Sequence, residues 1–342
     1  MAIFSRDYGI DLGTTSVIIS ARGKGVILKE PSVVAMDKVS GKLLKIGMAA
    51  QRMLGRTPGN IVAILPIREG VISDYDMTQR MLREMLEKVS GKSLVRPRVL
   101  ISVPSGITEV EERAVIDAGI QAGARKVYLM EAPLAAAIGA GIDISDPEGH
   151  IVVDIGGGTT DVAVLSLSGV MESDSIKIGG DAFNDAIIRY IRRKHSVLIG
   201  ENTAEELKLS IGCVYPKPET ATVDVKGRCL MTGLPRMVTI STTEMLEAFE
   251  EVSERILETI HHILEITPPE LVADISRNGI VLTGGGSTLW GFDKLIESRT
   301  SIKTHIADDA SMCVAFGLAK SLEKLDDMRE GTINISRRKQ MK

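Results

Sequence analysis

Aromatic side chains are scarce in this 342-residue chain: Phe, Trp and Tyr make up 3% of it, with a single Trp. That scarcity argues against nucleic-acid binding by base stacking on ring platforms. No excess of basic residues replaces it, since the formal net charge is −4 and the pI is near 5.9. A general binder of nucleic-acid backbones needs a cationic face, so no nucleic-acid partner is expected. Cysteine is also sparse. Cys213, Cys229 and Cys313 are odd in number, far apart and never in Cys-x-x-Cys spacing, so they read as reduced, buried thiols of a cytosolic protein. The five histidines show no metal-ligand spacing, and the adjacent His261 and His262 project in different directions from a helical run. Long apolar runs are missing too. The Ala-rich stretch from Leu134 to Ile142 is too short to span a bilayer, and the N-terminus has no signal-peptide pattern.

What the chain does have is the composition of a soluble globular protein, 44% apolar and 25% charged, with length enough for two domains. It also has one turn twice. Asp11-Leu-Gly-Thr-Thr15 and Asp154-Ile-Gly-Gly-Gly-Thr-Thr-Asp161 each follow a short apolar strand and run straight into another. Both read as strand-turn-strand hairpins. Glycine is expected to give these turns positive φ and to leave backbone N–H groups uncovered, so that a phosphate oxygen can approach. Two such turns facing each other from separate domains would clamp a polyphosphate, with Asp11 and Asp154 placed to hold a hydrated Mg²⁺. A third element, Ile280-Val-Leu-Thr-Gly-Gly-Gly-Ser-Thr-Leu289, puts a triple glycine after another strand, where backbone can lie flat against a base or sugar.

Between these turns the pattern is α/β. The first stretch, up to about Ile67, reads as a small sheet with a polar turn from Asp37 to Gly41. A helix from about Met77 to Val89 places Met77, Met81, Leu82, Met85, Leu86 and Val89 on one face and stops at Gly91. Strand Val99–Val103 leads to a capping box at Thr108–Glu111, then a strand from Lys126 to Met130 and the Ala-rich helix from Pro133. The second half repeats the order: a helix after Gly179-Gly180-Asp181 buries Phe183, Ile187, Ile188 and Ile191. Thr203-Ala-Glu-Glu206 reads as a further capping box, Gly227 and Gly233-Leu-Pro235 as turns between short strands, and Thr243 to Ile266 as a long helix stopped by Pro268-Pro269. Phe292 to Ser298 and Ala310 to Leu325 close the fold, followed by a basic tail.

Paired Asp-x-Gly-Thr hairpins and a later Thr-Gly-Gly-Gly turn resemble the actin, sugar-kinase and heat-shock chaperone ATPase superfamily. Within it the chain resembles the MreB/Mbl family of bacterial actins, from about Arg6 to Leu325. Glu30-Pro-Ser-Val-Val34, Arg56-Thr-Pro-Gly59, Ala136-Ala-Ile-Gly139, Thr232-Gly-Leu-Pro-Arg236 and Thr267-Pro-Pro-Glu-Leu271 carry the likeness beyond the phosphate turns. The resemblance implies two duplicated ribonuclease-H-like lobes with an ATP cleft between them, in four subdomains. These would be residues 1–32 with 67–148 and about 315–335 (IA), 33–66 (IB), 149–182 with 247–314 (IIA) and 183–246 (IIB). It implies Mg-ATP as ligand, with Gly13, Thr14, Thr15 and Ser16 and Gly156, Gly157, Gly158 and Thr159 on the phosphates. Glu205, Glu206, Leu207 and Lys208 would border the adenosine, and Gly284, Gly285, Gly286, Ser287 and Thr288 would face the base and α-phosphate.

The family also implies homopolymeric, paired protofilaments at the inner face of the cell membrane, with wall-synthesis and membrane-anchoring proteins as partners. Membrane contact would come from Ile3 and Phe4 or from Leu94 and Val95. These few apolar residues supply only a few kcal/mol per monomer, so a filament would bind by multivalency. One departure concerns chemistry. Where the family has a glutamate before the proline of Glu131-Ala-Pro133, to activate the attacking water beside Thr159, this chain has Ala132. Glu131 stands one residue early and is expected to point elsewhere. Hydrolysis is therefore expected to be slowed. A small-molecule kinase of the same superfamily and a plasmid-partitioning or adaptor actin homologue are the competing readings.

Overall fold

Apolar strands recur in the two halves of the chain in the same order, and they pair in the same way. The structure, a computed structural model, describes residues 7–91 and 95–327. Its strands in chain order are β1 (Asp7–Leu12), β2 (Ser16–Ala21), β3 (Gly25–Pro31), β4 (Val34–Asp37), β5 (Leu43–Ile46), β6 (Ile61–Ile64), β7 (Ile67–Arg68), β8 (Val71–Ile72), β9 (Arg98–Val103), β10 (Lys126–Glu131), β11 (His150–Ile155), β12 (Thr160–Ser166), β13 (Gly169–Ile176), β14 (Val197–Leu198), β15 (Thr222–Cys229), β16 (Pro235–Ser241), β17 (Ile280–Thr283) and β18 (Thr304–Ile306). The helices are α1 (Met48–Gln51), α2 (Tyr75–Ser90), α3 (Glu109–Gln121), α4 (Ala132–Ala140), α5 (Gly180–His195), α6 (Glu201–Ile211), α7 (Thr242–Ile266), α8 (Pro269–Asn278), α9 (Phe292–Thr300) and α10 (Cys313–Ser321).

Two five-stranded sheets result, ordered β10-β9-β1-β2-β3 and β13-β12-β11-β17-β18, beside smaller sheets β5-β4-β6, β14-β15-β16 and β7-β8. In each large sheet an antiparallel hairpin is flanked by a later strand in parallel. β1 pairs with β2 and then with β9; β11 pairs with β12 and then with β17. Register repeats as well: Asp11 stands opposite Ile18, and Asp154 opposite Asp161. β9 and β12 are buried along their whole length, as expected of strands covered on both faces.

Local signals explain the helices that cover these sheets. The Asp74 side chain accepts the Met77 N–H at the start of α2, and Gly91 ends it at φ 58°. Its Met77, Met81, Leu82, Met85 and Leu86 are buried in the first lobe's core. Reciprocal capping boxes, Thr108 with Glu111 and Ser241 with Glu244, open α3 and α7. A third core cluster joins the lobes, with Leu100 and Tyr128 from one sheet, Val152 and Ala163 from the other, and α4 and α10 between them. The two helices touch backbone to backbone. A Cβ on Gly139 would come 1.8 Å from the Cys313 carbonyl oxygen, and one on Gly317 would come 1.8 Å from that of Ala135. Small residues in the stretch from Leu134 to Ile142 are thus there for a helix crossing.

Some local expectations are corrected. α6 begins at Glu201 with the extended Gly200 as its N-cap, so Thr203 lies inside the first turn and forms no capping box. Gly227 is not a turn but a mid-strand residue of β15, where a Cβ would come 2.6 Å from the Leu198 carbonyl oxygen on the neighbouring strand. Ile188 is only partly buried, while Asn184 and Tyr190 join the covered face of α5. The three cysteines are free and buried, as expected.

Candidate functional site

The hairpins β1-β2 and β11-β12 end side by side, and their turns have the same architecture. Gly13 N–H donates to the Ser16 carbonyl (3.1 Å), and Gly156 N–H donates to the Thr159 carbonyl (2.8 Å). Between them opens a cleft of about 750 Å³, a size that suits a drug- or nucleotide-sized molecule. Gly13, Thr14, Thr15 and Ser16 line one wall, Gly156, Gly157, Gly158 and Thr159 the other, and Asp11 and Asp154 the floor. The glycines of these turns do not adopt positive φ, contrary to the expectation from sequence. Space requires them instead. A Cβ on Gly157 would come 1.8 Å from Thr15 Oγ1, and one on Gly158 would come 2.4 Å from Thr14 Oγ1 and 2.9 Å from the Glu69 nitrogen. Gly284 does need its left-handed φ of 81°, and a Cβ there would come 2.3 Å from the Ile155 carbonyl oxygen.

Each carboxylate on the floor is held by a hydroxyl from the adjacent parallel strand. Ser102 Oγ donates to Asp11 Oδ1 (2.9 Å), and Thr283 Oγ1 donates to Asp154 Oδ1 (2.8 Å). Burial pushes Asp11 up to about 7 and Asp154 up to about 6, against the pull of those hydroxyls. Asp161, 1% exposed, lies beside them and accepts the Ser105 N–H (2.8 Å). Burial, with the Asp154 charge, pushes it up to about 7. Asp154 and Asp161 are buried and Asp11 is half-buried, so negative charge gathered at this end of the cleft is costly until a proton or a cation joins it.

The N-terminus of α5 backs the second turn. Gly180 N–H donates to the Gly156 carbonyl and Asp181 N–H to that of Gly157, which aims the positive end of a 16-residue helix at the cleft. Lys208 Nζ donates to Glu205 Oε2 (2.7 Å) and to the Gly180 carbonyl (2.9 Å), while Asn184 Nδ2 donates to the same carboxylate. Glu205 and Lys208 line the cleft, as do Gly284, Gly285, Gly286 and Thr288. Three other predicted contacts lie outside its lining: Glu206 is exposed, Leu207 packs in the second lobe's core, and Ser287 is buried with its hydroxyl on the Gly284 carbonyl. Ala132 faces the cleft. Glu131 is 2% exposed and its Oε2 accepts the Ser105 hydroxyl (3.2 Å), away from the lining. Ser102, Asp161, Gly70, Lys29 and the single Trp290 line the cleft without having been found by sequence reasoning. Strand pairing brings Ser102 and Lys29 there, while Gly70 and Trp290 come from loops. Among the suggested membrane residues, Val95 is 44% exposed, and Ile3, Phe4 and Leu94 lie outside the described residues. No helix among the described residues is long and apolar enough to cross a membrane.

A sequence model of the MreB/Mbl protein family matches residues 5–330. The chain belongs to the MreB/Mbl family. Over 325 residues it is 46% identical to the cell shape-determining protein Mbl of Bacillus cereus, covering 95% of this chain and 98% of the relative. Over 330 residues it is 48% identical to the cell shape-determining protein MreB of Escherichia coli, covering 95% of each. The crystal structure of MreB5 of Spiroplasma citri bound to ADP superposes with a TM-score of 0.91 at 35% identity, covering 95% of this chain and 98% of that one. The fold is therefore the actin-like ATPase fold, and the cleft of this MreB/Mbl chain lies between its two duplicated lobes.

Proposed function

We propose that this chain is an ATP-binding, actin-like cell-shape protein that polymerises into paired protofilaments at the inner membrane face, where they guide wall-synthesis and membrane-anchoring proteins. The observation that carries the nucleotide reading is the meeting of two equal turns across a cleft of nucleotide size, each with an aspartate behind it that lines the cleft. The ADP found in MreB5 of Spiroplasma citri supports the same reading. In it, Gly13–Ser16 and Gly156–Thr159 offer backbone N–H groups to the phosphates, Glu205 and Lys208 flank the adenosine, and the turn from Gly284 to Thr288 lies against base and α-phosphate. The site residues fit the ligand: glycine Cβ positions are already filled by the opposing turn, so a larger residue would close the cradle.

Asp11 and Asp154 would hold a hydrated Mg²⁺, which when bound screens the phosphate charge. Among the described residues no group of three or more His, Cys, Asp or Glu side chains is arranged to hold a metal, so such an ion draws its other ligands from phosphate and water. We assign the four subdomains as the sequence suggests, one large and one small sheet per lobe. Ile3, Phe4, Leu94 and Val95 supply the membrane contact in this reading.

Hydrolysis is slow because Ala132, with only a methyl group, stands where the attacking water needs a proton acceptor beside Thr159. Phosphate release should rise on the order of 10² to 10⁴-fold in Ala132→Glu; equal turnover in both proteins would refute slowed hydrolysis. Equilibrium dialysis with Mg-ATP, followed by sedimentation with and without nucleotide, tests the rest. A chain that takes up no nucleotide sinks it.

A further inference from the structure

Three lysines line the cleft, and their surroundings differ. Lys208 is held by Glu205 and the Gly180 carbonyl. Lys217 rests over the ring of Trp290, 5.6 Å from its centroid. Lys29 has neither. Among the described residues its ammonium reaches the thioether of Met312 alone, at 3.4 Å, and sulfur is a weak acceptor for an ammonium group. Among the described residues no carboxylate comes within the 4.0 Å of an ion pair.

Its location gives this cation a purpose. Lys29 lies on β3 opposite Ile18, and two residues on Pro31 stands opposite Ser16, the last residue of the first turn. The lysine stem therefore rises from the sheet beside the turn, on the same side of the cleft as Asp11, whose charge it feels. The cleft otherwise carries an acidic excess in Asp11, Asp154, Asp161, Asp181 and Glu205. A polyphosphate entering that field needs cationic partners fixed to the protein as well as any it brings.

Building on the nucleotide reading above, we propose that Lys29 is a phosphate-binding residue. Its ammonium leaves Met312 for the β- or γ-phosphate oxygens and so favours nucleoside di- and triphosphates over monophosphates. It is a specificity element on the lobe opposite to α5, whose N-terminus serves the other side of the same anion.

Titration of the full chain with Mg-ATP, Mg-ADP and AMP, comparing the unaltered protein with Lys29→Met and Lys29→Arg, tests this. Lys29→Met should weaken Mg-ATP and Mg-ADP about tenfold or more, as loss of a charge-assisted hydrogen bond does. AMP should change less than about twofold, and Lys29→Arg should recover most of the loss. Equal affinities in Lys29→Met and the unaltered protein, or an equal loss for AMP, would overturn the assignment. Absence of binding in the unaltered protein would instead strike the nucleotide reading itself. A second measurement needs no variant: acylation of lysines read by mass spectrometry should show Lys29 protected by Mg-ATP and not by AMP, with exposed Lys42 as control. Unchanged Lys29 reactivity with saturating Mg-ATP would also overturn it.

Discussion

The first turn, Gly13–Ser16, and the second, Gly156–Thr159, share a backbone bond and a spacing yet differ in nearly every side chain. Thr14 and Thr15 in the first face Gly158 and Gly157 in the second, and the hydroxyls of the one occupy the space where the other would carry Cβ atoms. The triple glycine therefore serves lobe contact as much as ligand approach. Behind the turns the same complementarity holds. Ile18 in β2 is an apolar core residue, while its counterpart in β12 is Asp161, a buried carboxylate. Both hairpins carry one aspartate on the first strand, and the second adds another carboxylate and barer backbone where the first has an apolar residue and threonines.

That asymmetry sets the largest expected effect. Asp161, at about 7, lies well above the ordinary value of 3.8. A carboxyl whose folded pKa is raised stabilises most below its unfolded pKa and loses that contribution as pH rises through the folded one. Ligand-free protein should thus lose up to about 4 kcal/mol between pH 4 and pH 8 through this residue. Asp161→Asn keeps the carbonyl that accepts the Ser105 N–H and removes the charge. Its Tm should exceed that of the unaltered protein at pH 8, with the gap closing toward pH 5. Parallel Tm curves for the two proteins would show that the charge in lobe two costs nothing, and the contrast with Ile18 would be empty.

The contact between turns is the next test. Gly157→Ala should destabilise by about 1–3 kcal/mol, because the new methyl overlaps Thr15. Thr15→Ala, at an exposed position, should do little alone and should recover most of the loss when combined with it. A denaturant double-mutant cycle should therefore show coupling of about 1 kcal/mol or more across the cleft. Strict additivity would mean that the turns do not touch in solution.

How much of this was legible beforehand follows from where the information lies in the chain. Both hairpins, the third glycine turn and the covering helices were readable because each is a local pattern of apolar period, cap and glycine. Asp11, Asp154 and the residues of both turns all line the cleft for the same reason. Ser102 and Lys29 reach the cleft only through pairing with a neighbouring strand, and no short window of sequence records which strands become neighbours; Asp161 stood at the end of a hairpin already legible, but its role depends on the burial that the fold gives it. Thr203 misled in the opposite sense: Thr-x-x-Glu spacing arises inside a helix as easily as at its start, and only the extended Gly200 decides between them. Positive φ was the wrong reason for glycine in these turns, since close approach from another lobe is invisible in one turn's own sequence.

The hydroxyls under the two aspartates give the smallest and finest comparison. Ser102→Ala and Thr283→Val each remove one donor to a buried carboxylate, and each loss should raise that carboxylate's pKa further. Proton competition then grows, so Mg²⁺-dependent nucleotide affinity should fall a few-fold in both, more at pH 6 than at pH 8, in keeping with about 0.5–1.5 kcal/mol per hydrogen bond. Stability should separate them. Ser102 Oγ also accepts the Leu12 N–H (3.2 Å), so its removal leaves a buried donor of the first hairpin without this partner, whereas valine fills the shape of Thr283. Thermal unfolding should accordingly show the larger drop for Ser102→Ala, while metal titrations show matched losses. If the affinity losses differ strongly instead, the two aspartates are not equivalent, and the duplication of the lobes does not extend to the way they hold the ion.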